Sequence, residues 1–198
     1  MPPLRRHANP RPGRVAATSF SVCGGLSLAT LRLIGIIPRM LELPLNEPVV
    51  VSHVPYVIRR TVKWGECDPA GIVYTPRFLD FVVETAEAWF KEVTGLHWNA
   101  TRRELGIGSP IVHASLDFHH AVWPEDSLDL TVELEGLTRA TYTLIVAGHN
   151  ADGTLCFRGK LVGALTDYKK MTSVRIPQDF RSRMEAYGEA CAKLEDGD

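Results

Sequence analysis

The sequence predicts an α+β fold in which an antiparallel sheet wraps around one long central helix. Residues 78–93 are almost wholly apolar apart from one narrow polar stripe, a pattern typical of a helix buried around most of its circumference. Four β-strand patterns follow it, and Asp-Gly at residues 152–153 is a hairpin signal between two of them. A buried helix that is followed by sequential strands favours a sheet of five or six strands around that helix.

The elements follow in chain order. Residues 56–64 are β-branched and aromatic, as in a strand. The central helix is expected to start at Pro76, in a first turn where proline is tolerated, and to end near Gly95, with Leu79 and Val83 on its apolar side. Its polar stripe steps by three and four residues through Arg77, Asp80, Glu84, Glu87 and Lys91. Strands are predicted over residues 111–118, 128–135, 141–148 and 155–166. A last amphipathic helix is predicted from about residue 177, with Phe180, Met184, Tyr187, Cys191 and Leu194 on one face.

The composition is that of a globular chain with 198 residues, 45% of them hydrophobic, and a net charge of -1. This balance gives no global attraction to nucleic acid or to an anionic membrane, so we expect neither as a partner. The cysteines form no CxxC pair, which favours reduced thiols in a cytoplasmic protein over a disulfide framework or a metal site. They are Cys23, Cys67, Cys156 and Cys191.

The charge is unevenly distributed along the chain. Residues 1–50 carry six Arg and two Glu, and the first acid is Glu42. This composition favours a disordered extension; a targeting segment, or a start codon assigned before a true start at Met40, are the alternatives. We therefore expect three regions: the basic extension over 1–50, a folded domain over 52–176, and a C-terminal helix and tail over 177–198.

The stretch WGECDPAGIVYTPRFLDF, residues 64–81, places Asp68 in a Pro/Gly turn shortly before the central helix. The first turn of a helix presents N–H groups without intrahelical partners at the positive end of the dipole, which suits a carbonyl oxygen that gains negative charge. Pro76 cannot donate, so the useful donors lie near Tyr74, Thr75 and Arg77. A carboxylate that faces such donors is the minimum equipment for acyl transfer from an activated ester.

Two other interpretations of this stretch remain open on local grounds. Asp, Pro and Gly favour turns for purely conformational reasons, so Asp68 and Gly71 could serve only to turn the chain. Glu66, two residues earlier, is the alternative base.

The run GECDPAGIVYTPRFLDF resembles the hot-dog-fold acyl-CoA thioesterases of the 4-hydroxybenzoyl-CoA thioesterase type. The resemblance extends from near Tyr56 to near Pro177, and it includes the Gly95-Leu96-Trp98 stretch, the strand start at 108–112 and the Pro-Glu-Asp turn at 124–126. The central motif is long and specific, whereas the remainder is a pattern of spacing. The matching motif positions are Gly65, Asp68, Pro69, Gly71, Val73, Tyr74 and Pro76.

The resemblance implies hydrolysis of a CoA thioester without a metal or bound cofactor. Asp68 matches the family's essential carboxylate, which acts as nucleophile or general base. The backbone N–H of Thr75 matches the donor that polarises the carbonyl group. The family also implies a homodimer or homotetramer in which two chains build the substrate groove, with substrate contacts from Gly71, Tyr74, Val83 and Trp98.

Two positions depart from the family pattern. Thr75 stands where many members have an aromatic residue, a change that a backbone donor tolerates but that reshapes the acyl pocket. Val83 is apolar where the hydroxybenzoyl-specific enzymes have an acidic residue that binds the ring hydroxyl. This argues against the 4-hydroxybenzoyl group and leaves an apolar acyl group, aliphatic or aromatic.

Several other residues have side chains that could serve a function. His119 and His120, as neighbours on a strand, are expected to point to opposite faces and not to share a metal ion. His113 could approach the pocket, although an exposed strand histidine is the simpler interpretation. Glu84 fits a solvated helix face, and Cys67 has no sequence neighbour that would make it a thiolate. Four basic residues could contact the phosphates of CoA or could be ordinary charges at the rim of the site: Arg139, Lys169, Lys170 and Arg175.

Two rival functions are less well supported. The first is a hot-dog hydratase or dehydratase, an enzyme that uses an Asp followed a few residues later by a His. No His lies between Asp68 and the helix, which argues against this function. A non-catalytic acyl-CoA sensor would carry a DNA-binding helix-turn-helix, and the Pro- and Gly-interrupted extension does not have that pattern.

Overall fold

The structure is a computed structural model of the protein and describes residues 47–195. Nearly all of the predicted basic extension lies outside the described residues, so the three-region division of the chain stays a prediction. Among the described residues, no helix is long and apolar enough to span a membrane.

A six-stranded antiparallel sheet forms the framework, in the strand order β1-β2-β5-β6-β7-β4. The strands of this sheet are β1 (Val49–His53), β2 (Tyr56–Thr61), β4 (Ile111–Phe118), β5 (Ser127–Leu137), β6 (Thr141–Asn150) and β7 (Leu155–Ala164). A small second sheet pairs β3 (Ile107–Gly108) with β8 (Thr166–Asp167). The predicted antiparallel architecture is confirmed, and β4 is left as an edge strand.

The helix α1 (Thr75–Thr94) packs against the sheet, with contacts to β5, β6 and β7. Its core face is almost completely buried, including Phe81, Trp89 and Phe90. Gly159 of β7 permits this close approach, because a Cβ at that position would lie 2.5 Å from Val82 Cγ2. The predicted central helix is therefore confirmed, and Gly95 ends it in the left-handed conformation with φ 79°.

One residue on the helix differs from the prediction. Leu79 was expected on the buried side, but its side chain is 38% exposed. It lies one position before the exposed Asp80, in the first turns, on a side that the chain's own sheet does not cover. Spacing alone could not reveal this, because the sequence does not show how far the sheet extends around the helix.

The strand boundaries were close to those predicted, with several differences. The strand predicted over residues 155–166 ends at Ala164 as β7, and Thr166 belongs to the separate short strand β8. The first predicted strand ends at Thr61 rather than at Trp64, and a 3₁₀ turn follows at Trp64–Glu66. The short strand β1 was not predicted.

Two further helices flank the sheet and α1. The helix α2 (Trp98–Leu105) was not predicted, whereas α3 (Gln178–Glu195) starts where the amphipathic pattern starts. The hydroxyl of Tyr187 in α3 fixes it to the sheet, since it donates to Val132 O at 2.5 Å and accepts from Tyr56 N–H at 3.0 Å.

Candidate active site

The motif that carries Asp68 is a tight hairpin loop. Cys67 and Val73 pair as an antiparallel bridge, and Asp68 N–H donates to Ile72 O at 2.9 Å. Gly71 N–H donates a hydrogen bond to Asp68 O at 2.9 Å, and Gly71 has a φ of 82°. That positive φ explains the glycine, because other residues adopt it only at an energetic cost. The loop thus holds Asp68 at a fixed distance from the start of α1.

The Asp68 carboxylate performs the turn role that local chemistry predicts, and it retains an acceptor oxygen. Its Oδ1 accepts from Ala70 N–H at 2.8 Å, an Asx-turn contact. Its Oδ2 has no hydrogen-bond partner within residues 47–195, and the side chain is only half-buried. The turn and the functional interpretation are therefore compatible in the same residue.

The first turn of α1 has one N–H group without an acceptor. Val73 N–H donates to Val122 O, Tyr74 N–H to Glu66 O and Arg77 N–H to Tyr74 O, at 2.8–2.9 Å. Pro76 has no N–H group. In the described part of the chain, no acceptor pairs with Thr75 N–H. Among the donors that the sequence suggested, the structure leaves Thr75.

A cavity of about 280 Å³ lies at this end of α1. We call it the first cavity. Its walls include Ile72, Thr75, Phe78, Phe118, His119 and His120. The Phe78 ring contacts the rings of Phe118 and Phe157 edge-on, with centroids 5.2 and 5.0 Å apart. The open donor at Thr75 therefore borders a mainly apolar space.

The two adjacent histidines do not follow the expected strand geometry. Strand β4 ends at Phe118, and the backbone N–H groups of His119 and His120 both donate to Cys156 O, at 2.8 and 3.0 Å. Both residues line the first cavity, and they lie beyond the end of the strand on which the prediction of opposite faces depended. His120 Nδ1 also lies 2.9 Å from Leu155 O. Within residues 47–195 no group of three potential metal ligands exists.

Glu66, the alternative base, is held by other groups. Its carboxylate pairs with the guanidinium of Arg60, which is 6% exposed, and accepts from Lys63 N–H at 2.8 Å. Arg60 lies over the Phe81 ring at 3.6 Å and reaches Glu84 at 3.6 Å. Glu66 and Arg60 thus tie the motif to the helix, and Glu84 lies on the exposed face, as the polar stripe suggested.

Cys67 has the electrostatic surroundings of an unreactive thiol. Desolvation raises its pKa, and the carboxylates of Glu66, Asp68 and Asp126 raise it further. A raised pKa keeps the sulfur protonated near neutral pH, so it is a poor nucleophile.

Comparison with known proteins agrees with this arrangement. A model of the thioesterase-like superfamily matches residues 62–184. The chain belongs to this superfamily. The thioesterase-like match begins just before the Asp68 loop and ends within α3, so it contains α1 and four of the six strands of the main sheet.

Individual thioesterases are similar over much of the folded region. The chain is 30% identical to 1,4-dihydroxy-2-naphthoyl-CoA hydrolase from Picosynechococcus sp. over 99 residues, 49% of this chain and 67% of that protein. It is 25% identical to 4-hydroxybenzoyl-CoA thioesterase from Pseudomonas sp. over 133 residues, 62% of this chain and 92% of that protein. A thioesterase superfamily structure from Jannaschia sp. aligns with a TM-score of 0.62 and 29% identity, covering 67% of this chain and 92% of that one. The predicted hot-dog fold and thioester hydrolase class are thereby confirmed.

The structure brings only part of the predicted thioesterase site together in one chain. Thr75 borders the first cavity, whereas Asp68 does not line it but is hydrogen-bonded through its backbone to Ile72, which does. Tyr74 is 53% exposed at the start of α1. Val83 is half-buried against the core, and Trp98 lines a different cavity.

The histidines were the part of the site that sequence reasoning placed incorrectly. A sequence signal did exist, since two adjacent histidines followed by the Pro-Glu-Asp turn are close to the end of a strand. The basic residues considered for CoA phosphates, Arg139, Lys169, Lys170 and Arg175, are all exposed, and their role stays a prediction.

Proposed function

We propose that the protein hydrolyses an acyl-CoA thioester to a free acid and CoA, with Asp68 and the N-terminus of α1 as its reactive groups. The observation that carries this proposal is the Thr75 N–H group, which has no acceptor in the described chain and borders an apolar cavity. Family membership supplies the reaction class, and two of the relatives named above are, by their names, enzymes for 1,4-dihydroxy-2-naphthoyl-CoA and 4-hydroxybenzoyl-CoA.

The chemistry follows from the two groups. The thioester carbonyl oxygen accepts a hydrogen bond from Thr75 N–H at the positive end of the helix, where negative charge on that oxygen is stabilised. Asp68 either attacks the carbonyl carbon to form a mixed anhydride, which water then cleaves, or removes a proton from the attacking water. In both routes the C–S bond breaks, the CoA sulfur leaves with the bonding pair, and one water molecule is consumed.

The first cavity suggests which acyl groups fit. Its walls are mainly aromatic and aliphatic, and two histidines are the titratable groups among them. An apolar acyl group gains the transfer free energy of burial there, roughly 25 cal/mol per Å² of apolar surface. We therefore propose an apolar acyl group, aromatic or aliphatic.

A second copy of the chain would complete this site. Within residues 47–195, strand β4 is the edge of the sheet, and one side of its backbone has no partner strand there. Ala114 and Phe118, which share a face of β4, are both exposed in a single chain, and Phe118 also lines the first cavity. Pairing of the β4 strands of two copies would extend the sheet and cover the open side of the first cavity in each copy.

The assembly can be tested with two substitutions on neighbouring residues. Ala114→Glu places a charge on the apolar face of β4, whereas Ser115→Glu places it on the opposite face. In light scattering at matched concentration, we expect Ala114→Glu to be monomeric and Ser115→Glu to match the wild type. A wild-type monomer, or a dimer that survives Ala114→Glu, would rule out this assembly.

The activity is tested by titrating released thiol from a panel of acyl-CoAs that runs from short to long aliphatic chains and includes aromatic acyl groups. We expect turnover that rises with the apolar surface of the acyl group until the cavity is filled. Tight binding without thiol release, or no interaction with any acyl-CoA, would refute the proposal.

A further inference from the structure

We propose that a second cavity, at the C-terminal end of α1, binds a small organic acid that carries a carboxylate at one end and a hydroxyl or carbonyl oxygen at the other. This second cavity has a volume of about 350 Å³. Its lining includes Trp98, Arg102, Gly108, Pro110, Thr166 and Tyr168.

The second cavity is separate from the first. The first cavity contains Thr75, the first residue of α1, whereas the second is built from segments that follow the end of that helix. The 20 residues of α1 make a helix about 30 Å long at 1.5 Å per residue. No residue lines both cavities.

A buried hydroxyl group without a partner lies in this cavity. Thr166 is 8% exposed, and its Oγ1 has no hydrogen-bond partner within residues 47–195. A buried polar group that stays unsatisfied costs about 1–3 kcal/mol, and a ligand atom that pairs with it recovers part of that cost. The Thr166 hydroxyl group can therefore form a hydrogen bond, as donor or acceptor, with a ligand atom.

The space in front of this hydroxyl depends on a glycine. Gly108 pairs with Thr166 in the small sheet, and a Cβ at Gly108 would lie 3.2 Å from Thr166 Oγ1. That distance is closer than ordinary van der Waals contact, so a side chain there would cover the hydroxyl. The surface of Thr166 Oγ1 is itself buried, and the absence of a side chain at Gly108 leaves room for a ligand atom beside it.

Arg102 supplies a positive charge that is already positioned. Its guanidinium lies over the Tyr168 ring at 4.8 Å, and it donates to Tyr168 Oη at 2.8 Å and to Asn99 Oδ1 at 2.9 Å. A guanidinium has five N–H groups, so three of those in Arg102 have no acceptor in the described chain. Neither Asp nor Glu lines the cavity. A fixed guanidinium with free N–H groups favours a carboxylate, which it can bind through two parallel hydrogen bonds.

The remaining walls suit an apolar body between the two polar ends. Trp98 and Pro110 present carbon surface, and Met171 adds a thioether at the rim. The indole N–H of Trp98 is buried and lies near the Tyr142 hydroxyl. Since Arg102 is exposed and Thr166 is buried, the carboxylate belongs at the mouth and the second oxygen belongs inside.

Calorimetric titration of the full chain with 4-hydroxybenzoate and with benzoate tests this proposal, because the two acids differ only in the inner hydroxyl. We expect 4-hydroxybenzoate to bind about five-fold more tightly than benzoate, the effect of one neutral hydrogen bond. Thr166→Val should abolish that difference and leave benzoate binding unchanged. Arg102→Met should weaken both acids at least ten-fold, because it removes a charge-assisted contact.

Two controls separate this site from the rest of the protein. Thr85→Val also removes a buried threonine hydroxyl, one that donates to Phe81 O within α1, and it should leave both affinities unchanged. Phe118→Ala alters the first cavity and should also leave them unchanged. Gly108→Ala should weaken 4-hydroxybenzoate more than benzoate.

Three outcomes would overturn the proposal: no binding of either acid at millimolar concentration, equal affinities that Thr166→Val does not alter, or loss of binding in Phe118→Ala. The titrations contain no thioester, so their result does not depend on whether the protein hydrolyses acyl-CoA.

Discussion

Replacing Thr75 by proline removes one backbone N–H group and is the sharpest perturbation that the site offers. The N–H of Thr75 has no acceptor in the described chain, so its loss breaks no hydrogen bond of the folded protein. Proline is favoured in the first turn of a helix. The preceding residue, Tyr74, already has φ -62° and ψ 124°, the extended conformation that a residue before proline adopts. The variant should therefore fold with little change in stability.

The catalytic effect of this change should be large. Loss of one donor to a developing oxyanion costs a factor of about 10²–10³ in kcat. Because Thr75 is exposed in the single chain, we expect the lower end of that range. Thr75→Ala is the matched control, since it changes the side chain and keeps the N–H group.

The assay is thiol release from the best acyl-CoA substrate, with kcat and KM determined separately. Thr75→Pro should lower kcat about 100-fold relative to Thr75→Ala, with a smaller change in KM, and circular dichroism should show the same melting transition. If the folded Thr75→Pro protein keeps a kcat within a few-fold of Thr75→Ala, the N–H group does not polarise the carbonyl.

Three further predictions concern stability and are checked by thermal or urea unfolding. Gly159→Ala should destabilise the protein by about 1–3 kcal/mol, because the new methyl group would lie 2.5 Å from Val82 Cγ2; an unchanged transition would show that α1 has room to move. Tyr187→Phe should cost about 1–3 kcal/mol, since it leaves a buried backbone N–H and carbonyl of the sheet without their hydroxyl partner. Asp129→Asn should lower stability at pH 7, because the hydrogen bond from Arg59 lowers the pKa of Asp129. That contribution is present above the unfolded-state pKa and is lost as the pH falls through the folded-state pKa, so the two proteins should converge in acid; a constant difference at all pH values would contradict it.

The regular part of the fold was predictable from periodicity. The polar stripe from Arg77 to Lys91 marks the exposed face of α1, and Leu128, Leu130 and Val132 alternate along the buried face of β5. A repeating apolar pattern arises where one face of a helix or strand is buried. The cap at Gly95 followed from the conformational freedom of glycine.

The elements that were missed have weak or misleading local patterns. Helix α2 has eight residues with several charges and only one buried side chain, Thr101, so it shows little apolar periodicity. Leu79 is apolar but exposed, because its environment depends on the reach of the sheet and on any second chain.

The residues of the candidate site stay a prediction, and their geometry was not predictable. Turn chemistry allowed a site at the Asp68 loop and the start of α1, the family resemblance favoured it, and hydrogen bonds to distant residues left Thr75 with the open donor. Thus Val73 N–H pairs with Val122 O, 49 positions along the chain, a contact that local sequence does not encode. The backbone N–H groups of His119 and His120 both donate to Cys156 O, a contact that local sequence also does not encode.

The central claim, that Asp68 performs thioester hydrolysis, is tested most directly by the turnover of Asp68→Asn. Asp80→Asn is the control: Asp80 is an exposed carboxylate on α1, 2.9 Å from Arg77, and lies outside the proposed chemistry. Asparagine can keep the acceptor contact to Ala70 N–H but can neither attack as a carboxylate nor remove a proton. We expect thiol release by Asp68→Asn to fall at least 100-fold, in the range attributed to a general base, while Asp80→Asn stays near wild type. Near-wild-type turnover by a folded Asp68→Asn protein would contradict the account.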